Sequence, residues 1–62
     1  MWMAEAKAKQ DIPLDGLVIT RGSSITITKG KTSDLNFCLW CHDGIYEISS
    51  GYVEDVNVIS KE

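Results

Sequence analysis

Residues 36–49 read Asn-Phe-Cys-Leu-Trp-Cys-His-Asp-Gly-Ile-Tyr-Glu-Ile-Ser, two runs of aromatic and β-branched residues on either side of an Asp-Gly step. This is a strong local hairpin signal, because Asp-Gly supplies the backbone that a two-residue turn demands. A turn at Asp43-Gly44 sets Cys41 opposite Tyr46, Leu39 opposite Ile48 and Phe37 opposite Ser50. One face then carries Phe37, Leu39, Cys41, Tyr46 and Ile48, the expected core, and the other carries Cys38, Trp40, His42, Ile45 and Glu47. An isolated hairpin is marginal in water, so the remainder of the 62 residues must supply more strands.

The chain contains them. Leu17-Val18-Ile19-Thr20 is one candidate, and Ser24–Thr28 alternates, with Ile25 and Ile27 on one side and Thr26 and Thr28 on the other. Lys29-Gly30-Lys31-Thr32-Ser33-Asp34 reads as an exposed loop. Tyr52-Val53, followed by Val56 and Val58 in alternation, predicts a single helical turn leading into a last short strand. Upstream, Ala4-Glu5-Ala6-Lys7-Ala8-Lys9 favours helix by propensity and Pro13 closes it, so residues 2–10 are expected as a short helix or arm. The expected fold class is mainly β, a small barrel of four to five short strands (14–62) preceded by an N-terminal helix or arm (1–13).

Two segments carry a resemblance to a known family. Glu47-Ile48-Ser49-Ser50-Gly51-Tyr52-Val53-Glu54 resembles the end of an SH3 domain, an apolar strand, a Pro-x-x-Tyr-Val turn of 3₁₀ helix and a closing strand. Arg21-Gly22-Ser23-Ser24-Ile25-Thr26-Ile27 is similar to the entry to that family's second strand. The likeness covers roughly residues 20–58 and implies an SH3-like barrel. It does not imply the proline-rich ligand: Asn36-Phe37 stands where the family has its tryptophan pair, Ser49 stands for the proline, and no ALYDY-like segment precedes Leu17. Tyr52 is the one ligand contact the resemblance carries over.

Cys38-Leu39-Trp40-Cys41-His42 matches the C-x-x-C-H spacing of haem attachment and could offer three zinc ligands. Haem is not expected, because a strand sends Cys38 and Cys41 to opposite faces. Zinc through Cys38, Cys41 and His42 lacks a fourth ligand, with Asp43 or a second chain as the remaining sources. A redox dithiol needs its first thiolate at a helix N-terminus. The prevailing expectation is Cys41 as a small core residue, Cys38 packed on the opposite face, and no cofactor.

Catalysis is not expected either. His42 flanks a turn with no nucleophile placed by motif beside it, and Asp34, Asp43, Glu54 and Asp55 read as surface charges. Residues 1–31 hold five Lys/Arg against three Asp/Glu, whereas residues 32–62 hold one against six. That split disfavours general phosphate-backbone binding, although Lys7, Lys9, Arg21, Lys29 and Lys31 could form a basic patch for nucleic acid. The N-terminal decapeptide has no apolar stretch of export-signal or membrane-span length, which leads to the expectation of a cytoplasmic protein with reduced thiols.

These readings converge on a non-catalytic protein-interaction module. Its expected surface comprises Trp40, His42, Ile45, Tyr52, Glu54 and Asp55, the acidic pair favouring a partly basic protein target. Small acidic domains of this kind also suit an adaptor or an inhibitor of a larger enzyme, including a virus-encoded one. Self-association through an uncovered edge strand or the Trp40 face is a further expectation, and a zinc-stabilised structural domain is another.

Overall fold

The computed structural model describes residues 1–41 and 44–61; His42, Asp43 and Glu62 lie outside the described residues. The described residues form seven strands, β1 (Trp2–Ala8), β2 (Ile12–Leu14), β3 (Leu17–Ile19), β4 (Ser24–Lys29), β5 (Asn36–Cys41), β6 (Gly44–Ser49) and β7 (Val53–Lys61), with one 3₁₀ turn, η1 (Ser50–Tyr52), before β7. Five of them build an antiparallel sheet in the order β6-β5-β4-β1-β7, and β2 and β3 form a separate hairpin. The expected mainly-β domain is present. Its sheet is open, with β6 and β7 as the two edges.

The N-terminal helix or arm is corrected by this arrangement. Residues 2–8 are a strand, and it lies in the interior of the sheet, paired with β4 on one side (Ala4 with Ile27, Ala6 with Ile25) and β7 on the other (Ala4 with Val58, Ala8 with Val53). Residues 1–13 are therefore not an appendage to a barrel of 14–62. The physical reason lies in a period-2 pattern: Ala4, Ala6 and Ala8 are buried while Glu5 and Lys7 are exposed. Alanine's helix preference amounts to a few tenths of a kcal/mol per residue, roughly, which a strand paired along both edges readily outweighs. Pro13, expected to close a helix, sits inside β2 opposite Val18.

The β5–β6 hairpin forms with its register moved by two. Cys41 pairs with Gly44, Leu39 with Tyr46 and Phe37 with Ile48, so Gly44 already belongs to β6, and Asp43, the other residue of the expected turn, lies outside the described residues. A shift of two returns every side chain to its own face, which is why the face assignment survives the change. Trp40 and Ile45 are cross-strand neighbours on the outer face, as are Cys38 and Glu47.

The core is small. Ala4, Ala6, Ala8, Ile12, Ile25, Ile27, Leu39, Ile48 and Val53 make up its buried cluster, and among the described residues Ile12, Ile27 and Leu39 are the large side chains that are fully enclosed. Trp2 and Phe37 close one end by stacking, with ring centroids 5.7 Å apart and planes at 8°, and Tyr52 packs against the same cluster from η1. Among the described residues no helix is long and apolar enough to cross a membrane.

The candidate interaction groove

Outer-face side chains of β4, β5 and β6 lie in cross-strand rows. One row runs Thr26, Trp40, Ile45, and the next runs Thr28, Cys38, Glu47. Thr28 and Cys38 are buried although they are on this face, whereas Trp40 and Ile45 are 46% and 45% exposed. The difference follows from size: the small side chains form a floor and the two large ones stand above it. Met1 and Trp2 form the opposite wall, and together these residues enclose a groove of about 370 Å³ with Lys29 and Lys31 also in its lining.

Trp40 is held in place. Its indole Nε1–H donates to Thr28 Oγ1 at 2.9 Å across the β4–β5 ladder, so the ring's polar edge is satisfied and its apolar surface is turned to the groove. Lys29 Nζ lies 6.0 Å from the Trp2 ring centroid, within reach of a cation–π attraction. The groove thus has aromatic and aliphatic walls bordered by Lys29 and Lys31, with no carboxylate among its lining residues.

Beside it, the connection between β4 and β5 is fastened to β6. Glu47 Oε2 accepts from the Thr32 hydroxyl, from Thr32 N at 3.1 Å and from Asn36 Nδ2 at 3.1 Å. The Thr32 hydroxyl bond, then the Asn36 bond, then the Thr32 backbone bond hold the Glu47 carboxyl below its ordinary value of 4.5. Sequence reasoning placed Glu47 on the outer face without this role; the signal available was a lone carboxylate facing a Thr-Ser-Asp loop.

The other expected site residues do not all gather here. Tyr52 is half-buried against the core in η1, and Lys9 N donates to its carbonyl at 2.7 Å. Glu54 pairs across from Lys7, and Asp55, with φ 54°, borders a separate depression lined by Glu5, Ala6, Lys7, Ser24 and Asn57. The expected surface therefore divides in two: Trp40 and Ile45 at the groove, Tyr52, Glu54 and Asp55 around η1 and β7. His42 lies outside the described residues.

Cys38 and Cys41 stand on opposite faces of β5, Cys38 buried at 3% exposure and Cys41 half-buried on the core side. Among the described residues no three His, Cys, Asp or Glu side chains group as metal ligands do. The five basic residues do not form one patch. Lys7 pairs with Ser24 at the start of β4 and Lys29 closes that strand, about 16 Å along it at strand rise. Register also puts Lys7 and Lys29 on opposite faces of the sheet.

The five-stranded sheet, its 3₁₀ turn and one apolar groove define a small β domain with a candidate protein-contact surface. No protein-family model, curated protein or solved structure matches the chain.

Proposed function

We propose that this chain is a non-catalytic interaction module of SH3-like character, acting as an adaptor or inhibitor that docks a larger protein at the Trp40–Ile45 groove. The observation that carries the reading is the pairing of a half-exposed tryptophan, fixed by its bond to Thr28, with an exposed isoleucine over an apolar floor. Aromatic anchors of fixed orientation concentrate binding energy because little side-chain entropy remains to be lost. The SH3-like element of the proposal is supported by η1 immediately before the closing strand, with Ser49 capping the turn where the resemblance has proline. The ligand surface differs from that family's, since Trp40 stands in the interior of β5 and Tyr52 packs on the core.

The basic target favoured by Glu54 and Asp55 loses its support at this groove, because those two carboxylates are elsewhere on the molecule. Nucleic acid is a weaker reading than protein for a similar reason, as Lys7 and Lys29 stand far apart on opposite faces. The test is selection of a random peptide library displayed on phage against the wild-type domain, with counter-selection on a Trp40→Ser, Ile45→Asp variant. Peptides that bind the wild type and lose the variant are the expected result. Recovery of none that discriminates the two overturns the proposal.

A further inference from the structure

The two edges of the sheet are finished differently on the face that carries the core. On β6 that face is covered, and Ile48 is buried. On β7 it is left open. Val58 stands opposite Ala4, which is fully buried, and Val56 lies two residues before it on the same side, yet the two valines are 38% and 44% exposed. Beyond Val53 every residue of this nine-residue strand is exposed, so the sheet ends in an apolar rim. Among the described residues no strand pairs with its outer side.

Two register shifts frame the rim. Against β1 the pairing slips between Glu5 and Lys7, where Asp55 takes φ 54°, and again between Met3 and Ala4, where Ile59 is the residue left over. Bulges bend a strand and terminate pairing, so a strand added to β7 meets the short regular stretch Val56-Asn57-Val58 and extends little further. Charge gives that stretch a direction. Glu54 and Asp55 precede it and Lys61 follows it. A parallel strand of the same sequence would set carboxylates against carboxylates, whereas an antiparallel one brings them beside a lysine.

From these observations, and independently of the groove, we infer that β7 pairs with β7 of a second copy of the chain, antiparallel about a two-fold axis at Asn57. Val56 of each copy then faces Val58 of the other, so that four valines cover one another, and Ser60 of each copy faces Glu54 of the other with Lys61 next to it. The patch is complementary to itself, as a two-fold contact requires. Its shortness puts the dimer among small, weak interfaces. The axis lies at the end of the sheet away from β5 and β6, so the dimer presents two Trp40–Ile45 faces at once.

Sedimentation equilibrium of the whole domain, over a concentration series reaching the millimolar range, tests the pairing. A monomer–dimer equilibrium is expected, lost in Val58→Lys and kept in Trp40→Ser. Val58 is exposed, so the Val58→Lys domain should retain its native circular dichroism. Glu54→Lys and Lys61→Glu should each weaken the dimer about tenfold, as reversing a pair of exposed charge contacts per dimer does. Mixing these two variants should restore association, because the mixed dimer again sets opposite charges together, an outcome that misfolding could not mimic. A chain that stays monomeric throughout, a dimer indifferent to Val58→Lys, or charge variants that associate no better mixed than apart overturns the pairing. Loss of the dimer in Trp40→Ser overturns it as well, by moving the contact to the groove, and assembly that grows past two copies overturns the two-fold axis.

Discussion

Gly30 shows how a single residue holds the groove's neighbourhood together. Its N–H donates to the Asn36 carbonyl at 3.0 Å, and a Cβ built on it would lie 2.6 Å from that same oxygen and 2.8 Å from the Ser33 carbonyl. Backbone sits on both sides, so neither neighbour can yield cheaply. Gly30→Ala should cost about 1–3 kcal/mol, the usual range for overpacking, measured as a fall in the denaturant midpoint at unchanged m-value. Glu47, which anchors the same loop, makes a pH prediction. A carboxyl held below its ordinary value contributes stability that is complete above that value and is lost as pH falls through the lowered one. Wild type should therefore exceed Glu47→Gln in stability at neutral pH and converge on it well below pH 4.5. Parallel unfolding curves for the two across that range would show that the loop contact carries no linkage.

At the level of elements, β1 is the decisive case. Deleting residues 1–8 removes an interior strand bonded on both edges, so the shortened chain should lose its cooperative unfolding transition by circular dichroism. A helical arm would have left the transition in place. The strand was legible in principle, since Ala4, Ala6 and Ala8 alternate with Glu5, Lys7 and Lys9. Alanine hid it, because it carries a strong helix propensity and too little hydrophobicity to mark a buried face. The β2–β3 hairpin was hidden differently: Leu14 pairs with Leu17 around Asp15-Gly16, and Gly16 supplies φ 76°. That is the same Asp-Gly signal read at Asp43-Gly44, where it instead misplaced the register by two. Elements with alternating large side chains, such as β4 and the faces of β5 and β6, were readable because their period is set by burial. The groove was only half readable. Trp40 and Ile45 follow from the hairpin's faces, but Met1 and Trp2 reach it through the β1–β4 pairing, which no local pattern announced.

For the whole molecule, size governs how much any of these contacts matters. At about 0.05–0.15 kcal/mol per residue, a chain of 62 residues has roughly 3–9 kcal/mol of stability to lose. Three alanines occupy positions where larger residues would bury more area, leaving Ile12, Ile27 and Leu39 as the fully enclosed large side chains. Truncating one of them creates a cavity that costs about 2–5 kcal/mol, a large part of the total. Leu39→Ala should accordingly be substantially unfolded at 25 °C, as read by loss of the near-ultraviolet signal. Ile27→Val removes one methylene, costing about 0.5–1.5 kcal/mol, and should remain folded with a Tm lower by several degrees, at about 4–8 °C per kcal/mol for a domain of this size. The pair tests the core directly, because both side chains are opposed on β4 and β5. A Leu39→Ala variant with a near-native Tm would mean that the sheet's stability resides outside this cluster. A Tm that rises with protein concentration would identify where: only association with another copy supplies such a dependence in a purified chain, since mass action stabilises whatever the folded state binds. If Tm is instead independent of concentration and falls as expected in both variants, the alanine-lined core carries the fold alone, and the exposed Trp40 and Ile45 are left available for a different partner.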